Sequence, residues 1–178
     1  MTLIVSFDLD STLANTEHRR HMIKPVRSDM TAQDWADYSQ ACVLDSDGPA
    51  APMIRAITEQ QALMPNPELA RIDFIVVSRR DNVAREATTK WLSDRGWYPR
   101  QLIMLKDGFT GSGERNHPRW KANAIRAYEA YSGDRVILHV DDWHAVTKHL
   151  LSVGIPAITV RGDTEGEYAV LDLSQASA

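Results

Sequence analysis

The chain has 178 residues, 43% of them hydrophobic and 25% charged, with 24 acidic against 20 basic side chains and a formal charge of −4. A domain of this length buries enough surface on folding to need no metal cluster or disulfide net, and the single cysteine, Cys42, excludes an intrachain disulfide. The composition excludes collagen, coiled-coil and disordered-tail classes, and the mild acidity argues against wholesale wrapping of nucleic acid, though not against a local basic mouth.

The chain opens on an apolar run, Leu3 to Phe7, that meets Asp8 and Asp10 at once. That pattern is a strand and not a secretory leader, and no window approaches the roughly 20 apolar residues of a membrane span. A cytoplasmic protein with no membrane association and no obligate protein partner is expected. Residues 14–48 then form an insertion, in which Thr31-Ala-Gln-Asp34 reads as a capping box opening a short helix with Trp35, Tyr38 and Cys42. The insertion is expected to be a small helical flap within a single domain, 1–178. A crossover helix follows from about Ala50 to Ala62, and a second strand at Phe74 to Val77.

Val83, Ala87 and Trp91 mark the inward stripe of the next helix, with Gly96 as its stop. A third strand, Leu102 to Leu105, leads into a polar loop from Lys106 to Pro118 and a helix with Trp120, Ala124, Ala127, Tyr128 and Tyr131 on one face. The last strands are Val136 to Val140 and Ile155 to Val160, and Ser174 to Ala178 reads as a frayed end. Strands apolar on both faces, alternating with helices, give a doubly wound α/β fold with a five-stranded parallel sheet.

In such a sheet ligands collect at the carboxyl ends of the strands. After strand one comes Asp8-Leu-Asp10-Ser-Thr12, after strand two Ser78-Arg79-Arg80-Asp81, after strand three the loop that leads into Arg119-Trp120-Lys121, and after strand four Asp141-Asp142. Carboxylates crowded at adjacent strand ends repel one another, and burying them without a counter-charge costs several kcal/mol, on the order of 3–5. A hard divalent cation resolves this, and Mg2+ is the expected one, because it takes one or two carboxylates and completes its shell with water and phosphate oxygens. A carboxylate held against it can attack phosphorus and form an aspartyl-phosphate, while Ser78, Lys121 and backbone N–H groups neutralise the phosphoryl oxygens.

These residues resemble the four motifs of the haloacid dehalogenase (HAD) superfamily: Phe7-Asp-Leu-Asp-Ser-Thr-Leu13, Ser78 after Ile75-Val-Val, Lys121, and Val140-Asp-Asp142. The resemblance covers about Leu3 to Val160 and implies a HAD-like Rossmannoid three-layer sandwich with strand order 3-2-1-4-5. It implies Asp8 as nucleophile and metal ligand. Asp10 becomes the general acid, then base, with its backbone carbonyl on the metal. Thr12 and Ser78 bind the phosphoryl group, Lys121 pairs with it and with Asp8, Asp141 ligates Mg2+, and Asp142 is a ligand directly or through water. An acid at Asp10 points to a phosphatase.

A narrower resemblance is to the 3′-phosphatase domains of bacteriophage polynucleotide kinases. It is carried by Leu13-Ala14, Arg19 eleven residues beyond the nucleophile, Ser78-x-Arg80 and the Asp-Asp fourth motif. It implies Arg19 and Arg80, with Arg79 between Ser78 and Arg80, as substrate-binding residues, and a phosphorylated nucleotide or nucleic-acid 3′ end as substrate. One departure is Arg115-Asn-His-Pro118, where that family has acids before the lysine. No Gly-x-x-x-x-Gly-Lys-Ser/Thr occurs, so there is no P-loop; Gly108, Gly111 and Gly113 lie in a loop without the lysine.

The run from His18 to Arg27 is expected to face substrate as a basic rim, together with Arg79 and Arg80. Trp35, Tyr38 and Trp97 read as packing residues, with Trp143 the aromatic most apt to border the site. His139 reads as a core histidine and Cys42 as a packing residue. The alternatives are a 5′-nucleotidase acting on nucleoside monophosphates and, from another class, a non-catalytic nucleotide-binding or regulatory protein on the same fold.

Overall fold

The computed structural model describes residues 1–26, 29–63, 72–106 and 117–160. Arg27, the glycines of the 107–116 loop, Arg115 and the expected frayed C-terminus lie outside them. The described chain runs β1 (Leu3–Phe7), β2 (Ala14–Asn15), α1 (Ala32–Gln40), β3 (Ser46–Asp47), α2 (Ala51–Leu63), β4 (Ile72–Asp81), α3 (Arg85–Ser93), β5 (Leu102–Leu105), α4 (His117–Ser132), β6 (Arg135–Asp141), α5 (His144–Ser152) and β7 (Ala157–Thr159).

Five of the strands form a parallel sheet in the order β5-β4-β1-β6-β7. Numbered within the sheet alone, that is 3-2-1-4-5, the order expected. β1 is central, in register with β4 from Leu3↔Ile72 to Phe7↔Val76 and with β6 on its other side. Alternate residues of a strand face opposite sides, so Val5 and Phe7 join one core with Phe74, Val76, Ile54 of α2 and Trp91 of α3. Ile4 joins the other, with Ile75, Val77, Ile125 of α4 and Leu150 of α5. Helices on both faces make three layers. Among the described residues no helix is long and apolar enough to cross a membrane.

Two helices turn a different face inward from the one that apolar spacing suggests. In α4 the buried positions are Lys121, Ala122, Ile125 and Tyr128, whereas Tyr131 is 90% exposed. In α3 and the 3-10 turn before it, Ala84, Thr88, Trp91 and Leu92 are buried and Val83 is exposed. In both cases the inward face is rotated to carry a polar side chain into the interior, Lys121 in one and Thr88 in the other. β4 also runs longer than its apolar stretch, through Ser78, Arg79 and Arg80 to Asp81, which pairs with Leu105 after a register shift.

The segment between β2 and β3 holds a 3-10 helix (Glu17–Met22), α1 and a second 3-10 helix (Ala41–Leu44). Thr31 accepts from the backbone N–H of Asp34 at 3.1 Å, and the Asp34 carboxylate accepts from the N–H of Thr31 at 2.7 Å, completing the capping box. β2 and β3 pair antiparallel, Ala14↔Asp47 and Asn15↔Ser46, and pinch the two ends of the segment together. Gly48 closes the pinch: its N–H donates to Leu13 O at 2.6 Å and that of Ala50 to Thr12 O at 2.9 Å. A Cβ on Gly48 would lie 2.8 Å from the carbonyl carbon of Leu13 and closer still to Thr12 O. Because the obstacle is backbone, relief requires moving the loop that carries Thr12. Gly48→Ala is therefore expected to cost about 1–3 kcal/mol, read as a lowered midpoint in urea unfolding at an unchanged m-value.

Candidate active site

β1 delivers Asp8 to the rim of the sheet, where its N–H donates to Val140 O at 2.8 Å and so fixes it against the end of β6. The chain then coils tightly: the N–H groups of Thr12, Leu13 and Ala14 all turn back to Leu9 O. Ser11 holds a left-handed backbone, φ 63°. This turn puts the Thr12 hydroxyl 3.4 Å from both Asp8 Oδ2 and Asp142 Oδ1.

Asp8, Asp141 and Asp142 converge, with one carboxylate oxygen from each lying within 4.8 Å of the others. Lys121, fully buried, reaches into the group from α4, with Nζ 2.6 Å from Asp8 Oδ1 and 2.5 Å from Asp141 Oδ2. Asp141 is further held by His139 Nε2 at 3.1 Å and by the N–H of Trp143 at 2.9 Å. The other ring nitrogen of His139 meets Ser6 Oγ at 2.9 Å, so this buried histidine is fully partnered.

The charges do not balance within this group. Burial pushes the Asp8 carboxyl up to about 8, with Asp141 and Asp142 adding to the rise and Lys121 opposing it. Burial and then Asp141 push Asp142 up to about 6. For Asp141 burial acts upward too, but Lys121 and His139 outweigh it and hold the carboxyl well below the usual range. Three acids share one ammonium, and two of them are forced toward their protonated forms. Such a donor set, all oxygen and short of positive charge, fits a hard divalent cation.

Asp10, two residues from Asp8, belongs to a different group. Its carboxylate accepts from Arg80 Nε at 3.0 and 3.1 Å and from Arg80 Nη2 at 2.6 Å, and is also bonded by Arg19 Nη2. Burial alone would raise its pKa, but the guanidiniums of Arg80 and Arg19 win and hold it at about 2. Both arginines then share a second acid, Asp45. Arg19 binds it through Nε and Nη2, each at 2.8 Å, and Arg80 through Nη2 at 2.7 Å. Arg19 also donates to Tyr38 O at 2.9 Å and lies 4.2 Å over the Tyr38 ring, and Arg80 donates to Thr88 at 3.2 Å.

The residues singled out in the sequence therefore fall into two clusters. Asp8, Thr12, Lys121, Asp141 and Asp142 meet at the ends of β1 and β6. Asp10, Arg19 and Arg80 meet beside them, with both arginines buried and not on an open rim. Ser78 is buried at the end of the apolar part of β4, its Oγ accepting from the N–H of Arg80 at 3.1 Å. Arg79 turns to His117, 3.1 Å away. The basic rim expected from His18 to Arg27 is largely neutralised where it is described, since Arg20 lies 3.4 Å from Glu17 and Lys24 2.6 Å from Asp34.

Asp45 is the residue that sequence reasoning missed. It sits in a turn-like Asp-Ser-Asp-Gly stretch, where acids are ordinarily solvated, yet it is buried. Its carbonyl accepts from Trp91 Nε1 and Arg95 Nη2, both at 2.7 Å. The one signal available was the need of two inward arginines for more than one acid.

A central β1 flanked by β4 and β6, acids at the ends of β1 and β6, and a lysine on α4, the helix that precedes β6, define a HAD-like α/β fold, and solved structures agree. No family model matches the sequence, and no curated protein matches it either. A chain in the structure of the Pnkp1/Rnl/Hen1 complex superposes with a TM-score of 0.64 at 19% identity over 93% of this chain and 47% of that one. This protein thus spans about half the length of that relative. A HAD-superfamily hydrolase of subfamily IA from Geobacter sulfurreducens gives 0.53 at 11% identity, covering 89% and 86% of the two chains. A mutant of a HAD family enzyme from Bacteroides thetaiotaomicron, solved with magnesium and inorganic phosphate, gives 0.52 at 10% identity, covering 93% and 96%.

Asp45→Asn removes a charge that two buried guanidiniums share, and breaking a buried ion pair from one side costs about 3–5 kcal/mol. At roughly 2–4 °C per kcal/mol for a chain of this size, the variant is expected to melt on the order of 10 °C below the parent by differential scanning calorimetry. For the other cluster, Mg2+ at about a hundredfold over its Kd is expected to stabilise the fold by roughly 2.7 kcal/mol. That gain should vanish in Asp141→Asn, in thermal melts with and without Mg2+.

Proposed function

We propose that this protein is a Mg2+-dependent phosphomonoesterase that forms an aspartyl-phosphate on Asp8 and acts on the 3′-phosphates of nucleotides or nucleic-acid ends. The observation that carries the reading is the buried cluster of Asp8, Asp141 and Asp142 against the single cation Lys121. Those three acids would hold Mg2+, which when bound supplies charge neutralisation for a phosphoryl group and its attacking carboxylate.

A carboxylate oxygen of Asp8 attacks phosphorus, the bond from phosphorus to the ester oxygen breaks, and Asp10 gives the departing alcohol its proton. Water then attacks the phosphoryl group on Asp8, Asp10 takes a proton from it, and inorganic phosphate leaves as the Asp8 carboxylate re-forms. Thr12, Ser78 and Lys121 stabilise the phosphoryl oxygens. Arg19 and Arg80 hold Asp10 ionised, as the water-activating step requires, so for the first step Asp10 has to come off the guanidiniums to carry a proton. On this reading the two arginines serve the substrate through Asp10. Residues 14–48 act as a small flap within one domain, tied to the rest of the fold through Arg19 and Asp45.

The 3′-end assignment rests on the motif resemblance and on the fold likeness to a chain whose complex is described as an RNA repair complex, at 18% identity and 44% of that chain. A second reading, a nucleotidase on free nucleoside monophosphates, is favoured by one observation: with Arg19 and Arg80 buried and Arg20 and Lys24 paired, the described part of the basic run before α1 offers little free positive charge to a polyanion.

Asp8→Asn is expected to lower phosphate release by at least about 1,000-fold, as loss of a nucleophile does, without a change in thermal stability large enough to unfold the protein. A malachite-green assay on a 3′-phosphorylated oligonucleotide, its 5′-phosphorylated isomer and a panel of nucleoside monophosphates decides the substrate. Release from 5′-nucleotides alone would select the nucleotidase, and equal release by the Asp8→Asn protein would sink the mechanism.

A further inference from the structure

Beside the acidic cluster stands a group of side chains that the proposed chemistry does not use. Trp143 directly follows Asp142. His117 lies four residues before Lys121 on α4, a spacing that puts both on one face of the helix. Arg79 directly follows Ser78. Each is thus the neighbour of a residue assigned to the phosphoryl site, and the three are joined through His117. The rings of His117 and Trp143 lie with centroids 4.9 Å apart and planes tilted by 55°, and Arg79 Nη1 donates to His117 Nδ1 at 3.1 Å. A guanidinium only donates, so Nδ1 accepts and the proton of a neutral imidazole sits on Nε2.

The indole is placed as a stacking surface is. It is backed on one side by His117, while 39% of the residue remains open to solvent. By contrast Trp91 is 1% exposed and packed edge-on against Trp97 in the core. Holding a large aromatic ring exposed at the lip of a polar site has no packing reason. The donor Nε2 of His117 is, moreover, the one buried side-chain polar atom without a hydrogen-bond partner among the described residues. A wall with an open aromatic face and an unsatisfied donor next to it is incomplete without a ligand that is planar and carries acceptors.

We propose that Trp143, backed by His117, is the subsite that stacks the base of the nucleotide bearing the scissile phosphate. A nucleobase has the required chemistry, a π face of indole dimensions and ring nitrogen or carbonyl acceptors, and stacking tolerates every base. Arg79 fixes the imidazole, and the imidazole fixes the tilt of the indole. The proposal rests on the phosphatase reading for the position of the phosphoryl group, and it commits the substrate class to nucleotides over phosphosugars or phosphoproteins.

The test pairs substrates that differ only in the base: a 2′-deoxynucleoside 3′-monophosphate against 2-deoxyribose 3-phosphate, and a 3′-phosphorylated DNA oligonucleotide against one with an abasic terminal residue. In the parent protein, removal of the base is expected to raise KM by roughly 5- to 150-fold, the worth of one base–aromatic stack. In Trp143→Ala that ratio should collapse toward one because the base-bearing substrate weakens, and Trp143→Phe should retain most of it. His117→Ala should reduce the ratio in part. The two substrate pairs tell a free nucleotide from a polymer end. Calorimetric binding of the same four ligands to Asp8→Asn protein reads the subsite without turnover. A base-dependent ratio that is the same in the parent and in Trp143→Ala, or no base dependence in either, overturns the subsite and leaves the phosphatase reading standing. Binding that depends on the base through Trp143, with no phosphate released by the parent, upholds the subsite and sinks the phosphatase.

Discussion

The buried ammonium of Lys121 decides how the rest of the site is arranged. A lysine inside a protein is costly unless its charge is matched, and here it is matched twice, by Asp8 and by Asp141. That double contact requires β1 and β6 to be neighbours, so that their terminal acids fall on either side of one Nζ. It also requires α4 to present Lys121 inward, which turns the helix so that Ala122, Ile125 and Tyr128 face the sheet and Tyr131 faces water. Core packing on this side of the sheet is subordinate to the placement of one charge.

Counting charges separates two neighbouring clusters whose nucleating acids are only two residues apart. Asp10 and Asp45 stand against Arg19 and Arg80 and cancel. Asp8, Asp141 and Asp142 stand against Lys121 and leave an excess of two negative charges. The neutral cluster balances its own charge and ties the β2–β3 excursion to β4 through Asp45. The deficient cluster is the one that a dication would complete. Because the turn after β1 sends alternate acids to opposite sides, a single short motif seeds both, and Arg19 and Arg80 cannot drain the charge that the deficient cluster needs.

Much of this was legible in the sequence. The Val- and Ile-rich runs marked the five strands, because parallel strands buried on both faces have little else to be, and the motif resemblance implied their order. The acids after β1 and β6, and Lys121, could be placed because strand ends converge on one rim whatever the details of packing. What could not be read were polar residues doing core work. Ser78 to Asp81 read as a loop, since polar residues seldom continue a buried strand, yet their side chains find partners and the ladder runs on. Lys121 and Thr88 mark the inward faces of α4 and α3, and apolar periodicity is blind to both. Asp45 carried no local signal: its role exists only because Arg19, from the same excursion, and Arg80, from β4, are brought to it by the tertiary fold.

The same logic explains why the described part of the basic run before α1 does not line an open mouth with arginines. Arginine is suited to burial by its planar, multiply donating head group, and Arg19 is used that way, flat against Tyr38 and shared between two acids. Each arginine so consumed is subtracted from the surface, so a count of bases near a motif overstates the field a substrate meets. Beside the acidic cluster stands an aromatic pair, the indole of Trp143 on the imidazole of His117. Where arginines are buried in this way, long-range attraction from them is lost, and an exposed aromatic face offers recognition by contact instead.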